Sequence, residues 1–167
     1  MEQSALEKLY HQYFNKTYRT AYLVTGDHQM AEDAAQEAFF KAFSNLDALR
    51  DLNKFGSWVN VIASNYAIDM LRKKKKMIFT DNFAVHADRN PGNSPQDAWE
   101  KNEEAQEIRD ALLLLEPEER EILVLKYFNE LSINEISAIV NVPQGTIKSR
   151  LFRARKKVRK LLQPKKQ

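Results

Sequence analysis

A length of 167 residues allows one domain or two small ones. Glycine (4) and proline (5) are scarce, while leucine, alanine, glutamate, lysine and arginine dominate, so the composition favours helices over strands. The absence of cysteine excludes disulfides and thiolate metal sites. The sequence also shows no signal-peptide pattern and no apolar stretch long enough to cross a membrane, so we expect a cytoplasmic protein.

Apolar residues recur at helical spacing in three segments of the first half. The first covers residues 4–24, and the second, which Asp27 can cap, covers His28–Asn45. A polar loop, Asp47–Lys54, then precedes a third helix that begins at Phe55 and ends in a run of cations. This spacing predicts a small helical domain in residues 1–79.

Residues 80–98 interrupt the helical pattern. They contain two prolines and a glycine but few apolar residues, a composition typical of a flexible linker. The segment is also long for an unstructured loop inside one compact domain. We therefore predict a domain boundary here, with a second helical domain in residues 99–167.

Four more helices are predicted in the second half. An acidic helix covers Trp99–Leu115, and another begins at Pro117, since proline suits the first helical position. The capping box Ser132-Ile133-Asn134-Glu135 predicts a short helix over Ile133–Val140, and after a tight turn Pro143 begins the last helix. This order is typical of a helix-turn-helix, so the predicted fold is all-α with a C-terminal helix-turn-helix domain.

The charges are unevenly distributed, although the formal net charge is only +3. From Ile136 to the C-terminus there are ten lysines and arginines and no acidic residue, whereas residues 99–121 hold nine acids against three bases. The basic segment could be a disordered tail. However, the spacing of five residues predicts a face that packs on a core: Ile147, Leu151, Ala154, Val158 and Leu161.

The opposite face of this last helix is basic and carries one aromatic side chain. Lysine and arginine there can neutralise phosphates, Arg153 can hydrogen-bond guanine, and Phe152 can pack on a thymine methyl group. The hydroxyl group of Thr146 and the free backbone N–H groups of the first turn suit a phosphate. We predict that these residues contact duplex DNA: Thr146, Lys148, Ser149, Arg150, Phe152, Arg153 and Lys156.

Two further surfaces are predicted in the first half. The second helix has an alanine face and, opposite it, an acidic and aromatic patch suited to a protein partner: Asp33, Gln36, Glu37, Phe40 and Phe43. For Phe40 and Phe43, packing under the first helix is an equal alternative. The loop and third helix combine cations, amides and an aromatic residue suited to a single nucleic-acid strand: Arg50, Asn53, Lys54, Phe55, Asn65, Arg72 and Lys73. Trp58 and Tyr66 lie on the apolar spacing and are expected in the core.

Three sequence blocks resemble the extracytoplasmic-function (ECF) group of bacterial sigma-70 family factors. They are AEDAAQEAFFKAF (31–43), FGSWVNVIASNYAIDMLRKKKK (55–76) and LSINEISAIVNVPQGTIKSRLFRARKKVRK (131–160), in the family's order and spacing. One departure is Ser137, where the family often has alanine. Because serine is nearly as small, we expect little change in packing.

The resemblance implies an alternative sigma factor that binds core RNA polymerase. The first domain would be sigma region two: Asp33, Gln36, Glu37 and Phe40 would bind the β′ clamp helices. The loop at 47–54, with Asn65 and the cations from Arg72, would bind the melted minus-ten element. The second domain would be region four, reading the minus-thirty-five element and resting on the β flap. An anti-sigma factor, often membrane-bound in this family, would be a further partner.

Two other classes of function are alternatives. A helix-turn-helix regulator that acts without being a polymerase subunit would explain the basic helix, but not the acidic and aromatic helix before it. An enzyme such as a nuclease is not expected, because the three histidines (11, 28 and 86) are scattered and no HExxH motif or glycine-rich phosphate loop is present. No cofactor or metal is expected either.

Overall fold

The computed structural model of the protein describes residues 2–81 and 102–163, with side chains described as far as residue 78 in the first range. Within these ranges all regular structure is helical. Seven helices are present there: α1 (Gln3–Thr25), α2 (His28–Ser44), α3 (Phe55–Asp81), α4 (Glu103–Leu113), α5 (Pro117–Leu123), α6 (Ile133–Val140) and α7 (Gln144–Leu162). In this part of the chain no helix is both long and apolar enough to cross a membrane.

The predicted linker, residues 80–98, lies mostly outside the described ranges. Its first two residues, Thr80 and Asp81, belong to α3, which therefore continues past the expected boundary. The loop expected at 47–54 contains two short 3-10 turns, Leu46–Ala48 and Leu52–Lys54.

Helices α1, α2 and α3 form one bundle around the alanine face of α2. Five alanines there are fully buried, and their small side chains allow α1 and α3 to approach closely: Ala31, Ala34, Ala35, Ala38 and Ala42. Gly26 ends α1 in the left-handed conformation with φ 69°, and the Asp27 side chain then caps α2 by accepting a hydrogen bond from the Met30 N–H at 2.8 Å. These two residues set the turn between the first two helices.

The helix-turn-helix is formed by α6 and α7. Both hydrogen bonds of the predicted capping box are present between Ser132 and Glu135, and Asn141 ends α6 in the left-handed conformation. Pro143 caps α7 instead of starting it, so the last helix begins one residue later than predicted.

The apolar seam of α7 is confirmed over its first three members only. Ile147, Leu151 and Ala154 are buried, and Val158 is partly buried against the same core. The prediction for Leu161 is wrong: its side chain is 45% exposed, because no described helix covers the final turn of α7.

The two halves of the molecule are in contact. Helices α1 and α3 pack against α5, and α1 also packs against the π-helical turn Val124–Phe128 that follows it. Val61 of α3 is buried in the apolar core of the second half, and Val124 is buried in that of the first. The two cores therefore meet along this contact.

Candidate nucleic-acid interface

The outward face of α7 is basic, and it is held in position by the buried seam. Because the seam faces α4, α5 and α6, the opposite side chains are exposed: Lys148, Ser149, Phe152, Arg153 and Lys156. Phe152 is 69% exposed among these cations. A large aromatic side chain that contributes so little to the core is typical of a binding surface.

The start of α7 is open to an approaching ligand. A side chain built at Gly145 would meet no atom within 4 Å, and Thr146 and Arg150 are partly exposed. Gln144 donates a hydrogen bond to Asn134 of α6 at 3.0 Å, which fixes the start of α7 relative to the preceding helix. The Ser149 hydroxyl donates to the Gly145 carbonyl at 3.0 Å, so in this state its proton is used within the helix.

An acidic residue that the sequence did not single out contacts the basic helix. Glu119 of α5 accepts hydrogen bonds from the Lys157 ammonium at 2.9 and 3.1 Å, and its carboxylate lies 3.9 Å from Arg153 Nε. Arg155 lies over the Tyr127 ring, 5.5 Å from its centroid. Part of the positive charge of α7 is thus paired within the domain, whereas Lys148 and Lys156 are exposed.

The acidic patch of α2 lies at the surface, as predicted. Asp33, Gln36 and Phe40 are exposed and Glu37 is partly exposed. Packing under the first helix is the alternative for Phe40 and Phe43, and the structure gives a different result for each of them. Phe43 packs against the core and stacks on Phe55 with ring centroids 5.8 Å apart, whereas Phe40 is 69% exposed.

The residues predicted to form a single-strand surface are exposed, with one exception. Arg50, Asn53 and Lys54 are exposed before α3, and Asn65, Arg72 and Lys73 are exposed along it. The assignment of Phe55 to this surface is wrong, because its side chain is 0% exposed. Its ring lies between those of Tyr13, Phe39 and Phe43, which together remove it from solvent.

Trp58 and Tyr66 pack against the core of the first half, as expected from their spacing. Lys41 Nζ lies 5.2 Å from the centroid of the Tyr66 ring, so one face of this partly exposed ring is covered by a cation. Asn65, one position earlier, points away from the core and is exposed. Among the described residues, no group of three or more His, Cys, Asp and Glu side chains is placed to hold a metal ion.

The family model for sigma-70 region 2 matches residues 9–77, and that for sigma-70 region 4 matches residues 105–158. The chain is 37% identical over 172 residues to the ECF RNA polymerase sigma factor SigW of Bacillus subtilis, covering 96% of this chain and 90% of that protein. It is 32% identical over 160 residues to SigM of the same organism, covering 93% and 94% of the two chains. The ECF RNA polymerase sigma-E factor of Escherichia coli is 30% identical over 151 residues, covering 86% and 78%.

A similar fold occurs in the sigma factor RpoE of Bartonella quintana, which was solved in complex with the anti-sigma factor NepR. The TM-score is 0.70 at 23% sequence identity, and 96% of this chain and 98% of that chain are covered. A helix-turn-helix regulator independent of polymerase does not account for the match of the first half to region 2. The chain therefore belongs to the ECF group of the sigma-70 family, and it is a sigma factor that directs core RNA polymerase to initiate transcription at particular promoters.

Proposed function

We propose that this sigma factor contacts promoter DNA through two surfaces, one in a region-two-like domain of residues 1–79 and one in a region-four-like domain of residues 99–167. The observation that carries the proposal is the outward face of α7, where the exposed Phe152 lies among cations on a helix held by a buried seam. A helix of this kind fits the major groove of duplex DNA.

In the region-four-like domain, α7 would read the minus-thirty-five element. Arg153 would hydrogen-bond a guanine, and Phe152 would pack on a thymine methyl group. Thr146, Lys148 and the open N-terminal turn of α7 would hold phosphates, while Ser149, Arg150 and Lys156 complete the contact surface.

In the region-two-like domain, the exposed residues before and along α3 would bind the minus-ten element as it melts. Asn65 offers an amide that can hydrogen-bond the edge of an unstacked base, and Arg50, Asn53 and Lys54 lie in the preceding loop. Arg72 and Lys73 would hold the neighbouring backbone phosphates, since both are exposed cations.

Core RNA polymerase would bind at two places. The patch of Asp33, Gln36, Glu37 and Phe40 suits the β′ clamp helices, because it combines carboxylates with an exposed aromatic anchor. In the second domain an open apolar groove of about 570 Å³ lies between α4, the π-helical turn and α7, and its walls include Ile108, Leu112 and Val158. We assign this groove to the β flap.

Three further parts of the proposal concern the cellular setting. An anti-sigma factor is a proposed partner, since the Bartonella quintana relative of the same fold was solved with one. The proposed location is the cytoplasm, where the polymerase acts. The sigma factor would supply binding energy for melting, and all bond-making chemistry would belong to the polymerase.

The decisive experiment is run-off transcription with purified core polymerase and a library of promoter fragments. We expect transcripts from a defined subset of promoters, and only when the sigma factor is present. Retention of core polymerase without promoter-dependent transcripts would contradict the assignment of the DNA surfaces. Failure to bind core polymerase would contradict the assignment of the α2 patch.

A further inference from the structure

We propose that the free sigma factor adopts a closed form in which Glu118, at the start of α5, binds Arg72 in place of promoter phosphate. This inference rests on the proposed function, in which Arg72 holds the backbone beside the minus-ten element. In the closed form the second domain is the partner of the DNA-binding surface of the first, so DNA and the second domain compete for the same cation.

An ion pair joins Arg72 of α3 to Glu118 of α5. The guanidinium group of Arg72 donates two hydrogen bonds to Glu118 Oε1, at 2.8 Å from Nη2 and 3.3 Å from Nε. The Arg72 side chain is 58% exposed, so a phosphate could reach it if Glu118 moved away. The contact with Arg72 lowers the pKa of the Glu118 carboxyl group, which therefore carries its negative charge at neutral pH.

The same turn of α5 also carries an acid directed at α7, the proposed DNA-binding helix of the second domain. Glu119, one residue after Glu118, binds Lys157 and lies near Arg153 of α7. One helical turn thus places a carboxylate beside one cation of each proposed DNA surface, Glu118 beside Arg72 and Glu119 at 3.9 Å from Arg153. The Glu118 carboxylate occupies a position in the closed form where a DNA phosphate would otherwise bind, whereas the Glu119 contacts lie within the second domain and do not depend on its closure.

Buried polar contacts hold the two domains in this arrangement. Arg120, which is buried, donates one hydrogen bond to the carbonyl oxygen of Val24 in α1 and another, at 3.1 Å, to that of Leu115. Because a buried carbonyl oxygen that loses its donor is costly, separating the domains requires water to replace Arg120 at Val24. This guanidinium group therefore joins the two halves more firmly than the exposed pair.

A chain of side-chain hydrogen bonds also crosses the contact between the two halves. The Thr17 hydroxyl donates to Asn60 Oδ1 at 2.6 Å, and Asn60 Nδ2 donates to Asn129 Oδ1 at 2.8 Å. Asn129 Nδ2 lies 3.3 Å from the hydroxyl oxygen of Thr20. In addition, Lys16 Nζ lies 5.0 Å from the centroid of the Phe128 ring. Asn129 and Phe128 belong to the second half of the molecule, whereas their partners Asn60, Thr20 and Lys16 belong to the first. These contacts therefore join the two halves.

The closed form can be tested on the full chain without polymerase. The sequence contains no cysteine, so Lys8→Cys and Glu107→Cys add one dye pair at exposed positions of α1 and α4. Single-molecule energy transfer then gives the ratio of open to closed molecules. The variants are Glu118→Gln and Arg120→Met. The matched control is Glu104→Gln, which removes one negative charge from an exposed position of α4.

We expect one high-transfer population for the unmodified sequence. Glu118→Gln should raise the open-to-closed ratio about two- to fivefold, the range typical of an exposed ion pair. Arg120→Met should raise it further, because the buried Val24 carbonyl oxygen of the first half loses its donor from the second. Glu104→Gln should leave it unchanged. A 30-nucleotide single-stranded DNA of random sequence should lower the transfer, and it should do so at lower DNA concentration in Glu118→Gln.

Identical transfer distributions for the unmodified chain and Glu118→Gln would overturn the closed form. Binding of the single-stranded DNA that leaves the energy transfer unchanged would also overturn it. Because Glu118 is partly exposed, this variant is expected to fold, and helical content by circular dichroism checks that Arg120→Met has opened rather than unfolded. These outcomes are independent of run-off transcription, so a failure of the closed form and a failure of the proposed DNA contacts are distinguishable.

Discussion

Phe39 and Phe40 are consecutive residues of α2, yet Phe39 is 2% exposed and Phe40 is 69% exposed. The ring of Phe39 lies among those of Tyr10, Phe14 and Phe55, with centroid distances of 5.0 to 6.0 Å. The ring of Phe40 is on the side of α2 that carries Asp33 and Gln36. The buried alanines of α2 fix which side faces α1 and α3, and this orientation separates a core residue from a proposed anchor for polymerase.

This pair gives the first prediction. Phe39→Ala should lower the free energy of unfolding by about 3–5 kcal/mol, because it removes a buried aromatic ring. Phe40→Ala should change it by less than about 0.5 kcal/mol but should weaken binding to core polymerase. Urea unfolding and pull-down with core polymerase measure the two effects. Normal polymerase binding by Phe40→Ala would refute its role as an anchor.

The second prediction concerns charge on the same surface. Glu37→Lys should impair binding to core polymerase while leaving the helical content intact, because Glu37 is partly exposed and its reversed charge would face a partner suited to acids. Glu7→Lys, an identical charge change at an exposed position of α1, is the control. Equal polymerase affinity for the two variants, measured by surface plasmon resonance, would contradict the assignment.

The third prediction tests the reading of the minus-thirty-five element. Arg153→Ala should cost about 1–3 kcal/mol of promoter binding if the side chain reads a base, and it should relax the preference at one position. Lys156→Ala removes the same charge from the exposed face of α7 and should weaken binding evenly across sequences, because it removes a phosphate contact. Run-off transcription from promoters mutated in the minus-thirty-five element separates the two cases. An unchanged preference in Arg153→Ala would remove it from the readout.

The fourth prediction concerns pH. Burial raises the pKa of Glu121 from its ordinary value of 4.5 to about 7, although Ser64 and Arg72 of α3 act in the opposite direction and Glu118 and Asp69 add to the rise. A carboxyl group whose pKa is higher in the folded than in the unfolded state releases a proton on unfolding at pH values between the two, so unfolding becomes easier as the pH rises. Its contribution to stability is therefore present below about pH 4.5 and is lost as the pH rises through 7.

Glu121→Gln keeps the shape of this side chain and removes its titration. We expect the variant to resemble the unmodified protein at pH 5 and to be more stable at pH 8, by at most about 3 kcal/mol. Urea unfolding at the two pH values measures the difference. A stability difference that does not grow between pH 5 and pH 8 would show that Glu121 is accessible to water.

Most of the helix bounds follow from local signals. The structure reproduces α6 at Ile133–Val140 because the capping box satisfies its N-terminal backbone groups with its own residues. Phe55 follows a polar loop, so its neighbours in sequence predict exposure and do not show that rings from α1 and α2 converge on it. Leu161 fits the spacing of the α7 seam, but a residue at the right spacing is buried only where another helix covers it.

Periodic apolar residues, caps and the basic outward face of α7 are properties of short segments, and for this reason they could be read directly from the order of residues. The contacts between the domains join residues that are far apart in the chain. Arg72 and Glu118 are 46 residues apart in the chain, and Arg120 and Val24 are 96 apart. Pairing at such separations depends on how whole helices pack, because many acids and bases in this chain would be equally suitable partners by type alone. Only the tertiary structure therefore selects Glu118 for Arg72, Glu119 for Lys157 and Val24 for Arg120.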